Sequence, residues 1–487
     1  MVMNDAPTDR ERNRLSGRIV RAARVGVNMA GAGAAFGANR LRGGEEETLR
    51  NARALKAALG GLKGPLMKAA QMFATVPDLL PPEFATELGQ LQSNAPAMGR
   101  PFVRRRMAAE LGPDWMARFG RFDLDAAHAA SLGQVHRAQA RDGRPLAVKL
   151  QYPEMQSAVE SDVGQLRALL SVFRRMDMAI DPSQALEEIA DRLREELDYG
   201  REARMMSLYR GFFEGRDHIA VPSPEPELST PRLLTMEWRE GRGLLSFKEA
   251  ALETRNRIAA LLFEAWWSPM TTLGVIHGDP HLGNYLFSED AQQLNLLDFG
   301  CVRIFPPRFV DGVVRLYRAL AADDREGQIE AYRSWGFEQL RPGLVDALNL
   351  WARFIYGPLL DDRVRTVADG VAPGAYGRKE AFEVRKALRT EGPVVIPREF
   401  VFMDRAAIGL GAAFLHLGAE LNWRKMFEAS VEGFSQDRLS ERQSSALRDA
   451  GLAGPDLLGP DRLGPDLLGP DLPGSDHLGS GILGSGL

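Results

Sequence analysis

Cysteine occurs once in this chain of 487 residues, as Cys301, and that scarcity removes two classes of protein. One thiol closes no intramolecular disulfide and builds no zinc cluster, which points to a reducing compartment and leaves Cys301 as a small buried apolar residue. Also missing is any uninterrupted apolar run of 18 or more residues, so no spanning helix is expected. The nearest approach, residues 25–38, is rich in Gly and Ala, is interrupted by Asn28 and is too short to cross a bilayer. There is no excess of positive charge: 61 basic against 65 acidic residues leave −4, which argues against a nucleic-acid partner. Residues that are 45% hydrophobic are enough for a folded protein, and a chain this long exceeds one core, so two or three units are expected.

Five segments follow from the pattern along the chain. Residues 1–44 form a basic, small-residue-rich leader ending in Gly43-Gly44, and residues 45–115 form a helical extension punctuated by Gly60-Gly61, Pro77, Pro81 and Pro82. In residues 116–240, two apolar runs at 126–140 and 144–150 flank the turn signal Arg141-Asp142-Gly143, which predicts a hairpin. A long helix is predicted from Asp181-Pro182 to Phe213, then a strand over 233–238 ending at Gly241. Residues 241–440 read as mostly helical, with a helix over 247–273 and a buried apolar helix over 406–421 in which His416 is a core or rim residue. Residues 441–487 carry Gly-Pro-Asp-Leu-Leu at 454 and again at 464, a low-complexity tail in which Pro and Gly stop any element from propagating.

Chemistry concentrates in two motifs. His277-Gly278-Asp279-Pro280-His281-Leu282-Gly283-Asn284 is followed by a strand pattern at 294–297 and then Asp298-Phe299-Gly300. An Asp five residues before an Asn, then Asp-Phe-Gly, has the order of a kinase catalytic loop and metal loop. Hard oxygen donors suit the magnesium that neutralises phosphates, so Asn284 and Asp298 are the metal candidates and Asp279 takes the base position. Upstream, Lys149 on the second hairpin strand is placed to reach nucleotide phosphates, with Glu202 as its acidic partner. Asp198 and Glu202, four apart, are expected on one helical stripe. His128, His136 and His281 lack partners at ligand spacing, so no zinc site is assigned, and His277 is expected to brace the catalytic loop. Where a kinase has a glycine-rich loop, this chain has Ala126-Ala127-His128-Ala129-Ala130-Ser131-Leu132-Gly133, a stiffer loop that carries methyl groups toward the phosphates.

Taken together these residues resemble the UbiB family, also called the aarF-domain or ADCK atypical kinases. The matching pieces are the alanine-rich loop with Ser131 to Ala138, Ala147-Val148-Lys149-Leu150-Gln151-Tyr152-Pro153, Glu196-Leu197-Asp198-Tyr199, Glu202-Ala203, Met236-Glu237 and the two motifs above. The likeness runs over about residues 61–423. It implies an α+β, protein-kinase-like, two-lobed fold with a helical N-terminal extension, and ATP or ADP with Mg2+ between the lobes. Ala129, Ala130, Ser131 and Lys149 would face the phosphates, with Glu237 and Trp238 near the base. The family's Lys-x-Gly-Gln motif falls on Lys68-Ala69-Ala70-Gln71, with Ala70 in place of the usual glycine. By resemblance that segment covers the site, with Glu196 and Asp198 on its side and Lys68 and Gln71 pointing in.

The resemblance further implies an ATPase, or a small-molecule or lipid kinase, that supports isoprenoid quinone biosynthesis at a membrane surface. Its expected partners are a lipid or quinone-precursor ligand, an anionic membrane and proteins of that pathway. Two alternatives remain open at this point: a low-turnover nucleotide-dependent lipid scaffold or chaperone, and a general small-molecule kinase. The leader holds eight arginines in residues 1–42 against Asp5, Asp9 and Glu11, so residues 14–42 are expected to hold the cytoplasmic protein reversibly on the inner face of a membrane.

Overall fold

The computed structural model describes residues 97–129, 132–153, 190–337, 339–391 and 397–452, with isolated positions between 155 and 164. The leader, residues 45–96 with Lys68 and Gln71, Ala130, Ser131 and the Gly-Pro-Asp repeats lie outside these. Helix α1 (Arg100–Leu111) begins with Pro101 in its first turn, where the missing N–H has no intrahelical partner to lose. Its Phe102, Val103 and Met107 are buried against one face of a five-stranded sheet. So residues assigned to the extension help to seal the sheet.

That sheet is made of β1 (Arg121–Phe122), β2 (His128–Ala129), β3 (Gly133–Gln139), β4 (Pro145–Gln151) and, after the next helix, one strand of residues 233–237. The first expected run therefore divides, because β2 folds back to pair antiparallel with β3 at Gln134 and Val135. β3 and β4 form the hairpin, with Gly143 at φ +93° in its turn and Arg144 N bonded to Asp142 Oδ1 at 3.0 Å. Side chains alternate along β4. Leu146, Val148 and Leu150 face α1, so Ala147, Lys149 and Gln151 face the other way, toward helix α2 (Tyr199–Phe212).

The long helix expected over 182–213 is broken. Helical residues 190–195 stop short, and α2 restarts with Asp198 as its N-cap, whose side chain accepts from Arg201 N at 2.9 Å. The backbone groups exposed by the break find tertiary partners: Tyr199 N donates to Pro231 O at 3.1 Å, and Leu197 O accepts from Gln151 Nε2 at 3.0 Å. Asp198 therefore caps the helix that carries Glu202, rather than sharing an interior stripe with it.

After β5 (Ile219–Ala220), β6 (Leu233–Glu237) completes the first sheet against β4, and β7 (Arg242–Gly243) leads into the large lobe. Helix α3 (Leu252–Leu273) is its spine and ends on Gly274 in the left-handed region at φ +65°. Short strands β8 (Val275–Ile276), β9 (Tyr285–Phe287), β10 (Leu294–Leu296) and β11 (Arg303–Ile304) carry the chemical motifs on their connections. Beyond them lie α4 (Pro307–Ala321), α5 (Arg325–Ser334), α6 (Pro342–Tyr356), α7 (Arg378–Glu391), α8 (Arg398–Leu417), α9 (Trp423–Ser430) and α10 (Gln436–Asp449). The expected apolar helix over 406–421 ends at Leu417, with Gly418 left-handed, and His416 is exposed. The expected tail from 441 starts too early. In α10, Leu439, Gln443 and Leu447 recur at four-residue spacing and are buried, and Gln443 Nε2 caps α3 by donating to Leu273 O and Phe305 O at 2.8 and 2.9 Å.

Gly133 shows how closely β3, β4 and α2 approach. A Cβ there would lie 2.3 Å from Leu150 O and 2.8 Å from the Tyr199 hydroxyl. Gly133→Ala is expected to destabilise the protein by about 1–3 kcal/mol, read from the urea midpoint, because the clash falls on paired backbone that cannot rotate away.

Candidate nucleotide and metal site

The period of β4 and the cap of α2 bring Lys149 and Glu202 together. Lys149 Nζ donates to both Glu202 carboxylate oxygens at 2.9 Å, with Asp298 Oδ2 at 3.7 Å. The Tyr199 ring lies 5.1 Å from the same ammonium. Burial alone would pull the lysine pKa down, but Asp298 and Glu202 outweigh it and hold the pKa well above the ordinary lysine value. Burial raises Glu202 above a normal glutamate, with Lys149 offsetting part of that. Lys149 therefore stays cationic across the physiological range.

Asp298 has φ +58°, an uncommon backbone state for a residue with a side chain, and it is held there by Gly300 N donating to its Oδ1 at 3.2 Å. Phe299 behind it packs on Tyr209 and on His277, each with ring centroids 5.4 Å away. His277 is fully buried and donates from Nε2 to Leu297 O at 2.9 Å, which ties the loop over 277–284 to the residue preceding Asp298. Gly278 at φ +73° lets this loop pass Cys301, whose carbonyl oxygen would lie 2.1 Å from an added Cβ.

Asp279 lies in a cage of donors. Asn284 Nδ2 reaches its Oδ2 at 3.0 Å, Arg405 Nη2 reaches its Oδ1 at 3.0 Å, and the Tyr285 hydroxyl donates to its carbonyl at 3.1 Å. Arg405 was not expected. It comes from α8, 126 residues further along the chain, and its only sequence signal is its place just before the apolar run.

The strand expected near the base is already engaged at its backbone, with Glu237 N bonded to Ser223 O at 2.9 Å and Trp238 N to Pro145 O at 3.0 Å. A base there would meet carbonyls or the following residues. The Glu237 carboxylate pairs with Arg239 at 2.8 Å, and the Trp238 ring lies under Arg137 at 4.4 Å and beside His128 at 6.3 Å. Asn295 Nδ2 donates to Glu240 O at 3.0 Å and anchors this segment to β10. Ala129 is exposed, in β2. His281 accepts from Gly283 N at 3.1 Å, and His136 is buried between Gln134 and Asp123 O.

Glu196 accepts from Cys301 Sγ at 3.2 Å, and Asp198 is the N-cap of α2, so the structure gives both local partners. Sequence reasoning passed over Glu195 beside them. Its carboxylate accepts from Arg192 and lies 3.2 Å from Arg303 and 3.4 Å from Arg201, all three arginines being buried. Burial would raise this acid, but the three cations dominate and hold its pKa at about 2. In turn, burial and then Arg192 bring Arg303 down to about 9. This knot ties residues 190–195 and α2 to the chain following Asp298-Phe299-Gly300.

The donor set fits magnesium. The Nδ2 of Asn284 is committed to Asp279, which leaves its amide oxygen for a cation, and the Asp298 carboxylate is 44% exposed in the cleft. Among the described residues no three His, Cys, Asp or Glu side chains group at metal-holding distance. A cation here would therefore share its shell with phosphate oxygens and water, as magnesium does.

Comparison with known proteins decides the family. The ABC1 atypical kinase-like domain matches residues 90–332. The chain belongs to the ABC1, or UbiB, family. The atypical kinase COQ8 of Saccharomyces cerevisiae mitochondria is 28% identical over 377 residues, covering 75% of this chain and 73% of that protein. The AarF domain-containing protein kinase 1 of Xenopus tropicalis is 29% identical, covering 70% of this chain and 65% of that one. A solved complex of Rv3197 with erythromycin from Mycobacterium tuberculosis is 25% identical. It superimposes with a TM-score of 0.56, covering 80% of this chain and 97% of that one. The ABC1 fold of this chain is thus α+β, two-lobed and kinase-like, and no helix among its described residues is long and apolar enough to cross a membrane.

The Glu195 knot gives a pH test. Because the folded value lies below the ordinary glutamate pKa of about 4.3, its stabilisation is present above that pH and is lost as pH falls toward 2. Glu195→Gln should lower the urea midpoint at pH 7, and the gap to the parent should close between pH 4 and pH 2.

Proposed function

We propose that this ABC1 protein binds magnesium and ATP between its lobes and works as an ATPase, or as a kinase for a small molecule or lipid, in isoprenoid quinone biosynthesis. The observation that carries the reading is the placement of Lys149, Glu202 and Asp298 within one contact of each other, with Asp279 and Asn284 bonded on the adjoining loop. Lys149, held by Glu202, would bind the phosphates of the nucleotide. Asn284 and Asp298 would hold the cation, which when bound neutralises the phosphate charge. Asp279 orients the attacking hydroxyl or water and takes its proton. Phosphoryl transfer demands positioning and charge stabilisation more than covalent help, and this set of side chains is suited to both.

Ala129, Ala130 and Ser131 are proposed as the loop over the phosphates, and Glu237 with Trp238 as the edge near the base. Lys68 and Gln71 belong to the same proposal as the cover on the Glu196 and Asp198 side. The name of the yeast relative places that protein in mitochondria. For this chain we infer a peripheral position on a membrane, with a lipid or quinone precursor as ligand and quinone-biosynthesis proteins as neighbours. ATP turnover by the purified protein, with and without anionic vesicles, tests this, and the absence of turnover in both settings would reject the enzymatic reading.

Asp298→Asn is expected to abolish nucleotide stabilisation. For the parent, ATP at 100-fold over Kd adds about 2.7 kcal/mol, visible as a rise in Tm when magnesium is present. An undiminished rise in the variant would remove Asp298 from the site.

A further inference from the structure

Arg405 is the charged group at the site that the reading above leaves without a task. Its position follows from the shape of α8. Arg405 and Gly409 are four residues apart and share a face. At Gly409 an added Cβ would lie 2.2 Å from Pro280 Cγ, so only glycine lets the helix seat against the residue that follows Asp279. That close seating delivers Arg405 to the carboxylate, with the two side chains 15% and 11% exposed.

The contact is incomplete in a telling way. A guanidinium that served only to neutralise a carboxylate would do best with two parallel bonds. Here Nη2 alone reaches Asp279 Oδ1, the second oxygen is taken by Asn284, and Arg405 Nη1 is buried with no hydrogen-bond partner among the described residues. A buried cationic donor left unbonded is costly. It is tolerated where a ligand supplies the missing acceptor, and an acceptor beside Asp279 would sit where that base meets the group being transferred.

We propose that Arg405 is an arginine finger supplied in cis, whose free Nη1 bonds the terminal phosphoryl group of the nucleotide, so that α8 is part of the active site. The inference rests on the nucleotide reading and assigns it a further residue. In the step it serves, the bond from the γ-phosphorus to the bridging oxygen breaks and its electron pair leaves on ADP. The oxygen of water or of an acceptor hydroxyl forms the new bond and passes its proton to Asp279. Charge spreads over the phosphoryl oxygens in between, and a guanidinium fixed beside them stabilises that state more than the ground state. Arg405 also orients Asp279 before the nucleotide arrives.

The test compares the parent with Arg405→Gln and Arg405→Lys in the full chain. Two quantities are measured: the affinity for ADP with magnesium, alone and with fluoroaluminate as a mimic of the transferring phosphoryl group, and steady-state ATP hydrolysis. In the glutamine variant the affinity for ADP should be unchanged, the complex with fluoroaluminate should weaken by about a hundredfold, and kcat should fall by about 10³-fold. Lysine should restore part of both losses. Retained fluoroaluminate affinity in the glutamine variant would overturn the proposal. Equal loss of both affinities would overturn it too, because that is the mark of a purely structural arginine. A parent that binds no ADP would overturn the nucleotide reading itself, which separates that failure from this one.

Discussion

The buried ion pair between Lys149 and Glu202 is the constraint on which the rest of the site depends. Removing two charges from water is expensive, and their attraction offsets that only when geometry is close and the remaining donors are satisfied. Both carboxylate oxygens at 2.9 Å, a third partner in Asp298 and an aromatic face beneath the ammonium meet that condition. Breaking one side of such a pair typically costs about 3–5 kcal/mol, since the other charge stays buried. The pair therefore fixes the register between β4 and α2 and, through Asp298, the position of the Asp298-Phe299-Gly300 segment.

Two supports keep that geometry in place. From below, His277, Phe299, Tyr209 and Tyr285 form a continuous aromatic contact from the loop over 277–284 to α2, so Asp298 cannot shift without disturbing the core. From the side, Glu195 and its three arginines pin the start of α2 to the segment after Gly300. The helix break at 196–198 serves both supports. It turns Glu196 toward Cys301 and leaves Asp198 to cap α2, which sets the axial position of Glu202.

The local parts of this design were readable from the chain. Arg141-Asp142-Gly143 announced the hairpin that carries Lys149, and the motifs that hold Asp279, Asn284 and Asp298 announced the family. Reading failed where a partner distant in sequence won over a local pattern. The helical periodicity through 196–198 gave no sign of the break, because the groups that satisfy it belong to Gln151 and Pro231. Residues 441–449 of α10 read as tail because the polar surface of that helix conceals Gln443 and Leu447, which matter only once α3 lies beside them.

By itself, then, the sequence determined the residue types of the site, their order and the elements that bear them, because strand alternation, turn chemistry and motif spacing are local properties of the backbone. Only the tertiary structure decided which charges meet. Arg405 on Asp279 and Glu195 among three arginines are contacts between segments up to 126 residues apart, set by how closely helices pack. Gly409 against Pro280 shows the physical reason: a missing methyl group fixes the approach of a helix, and nothing in its neighbours along the chain says what it will approach.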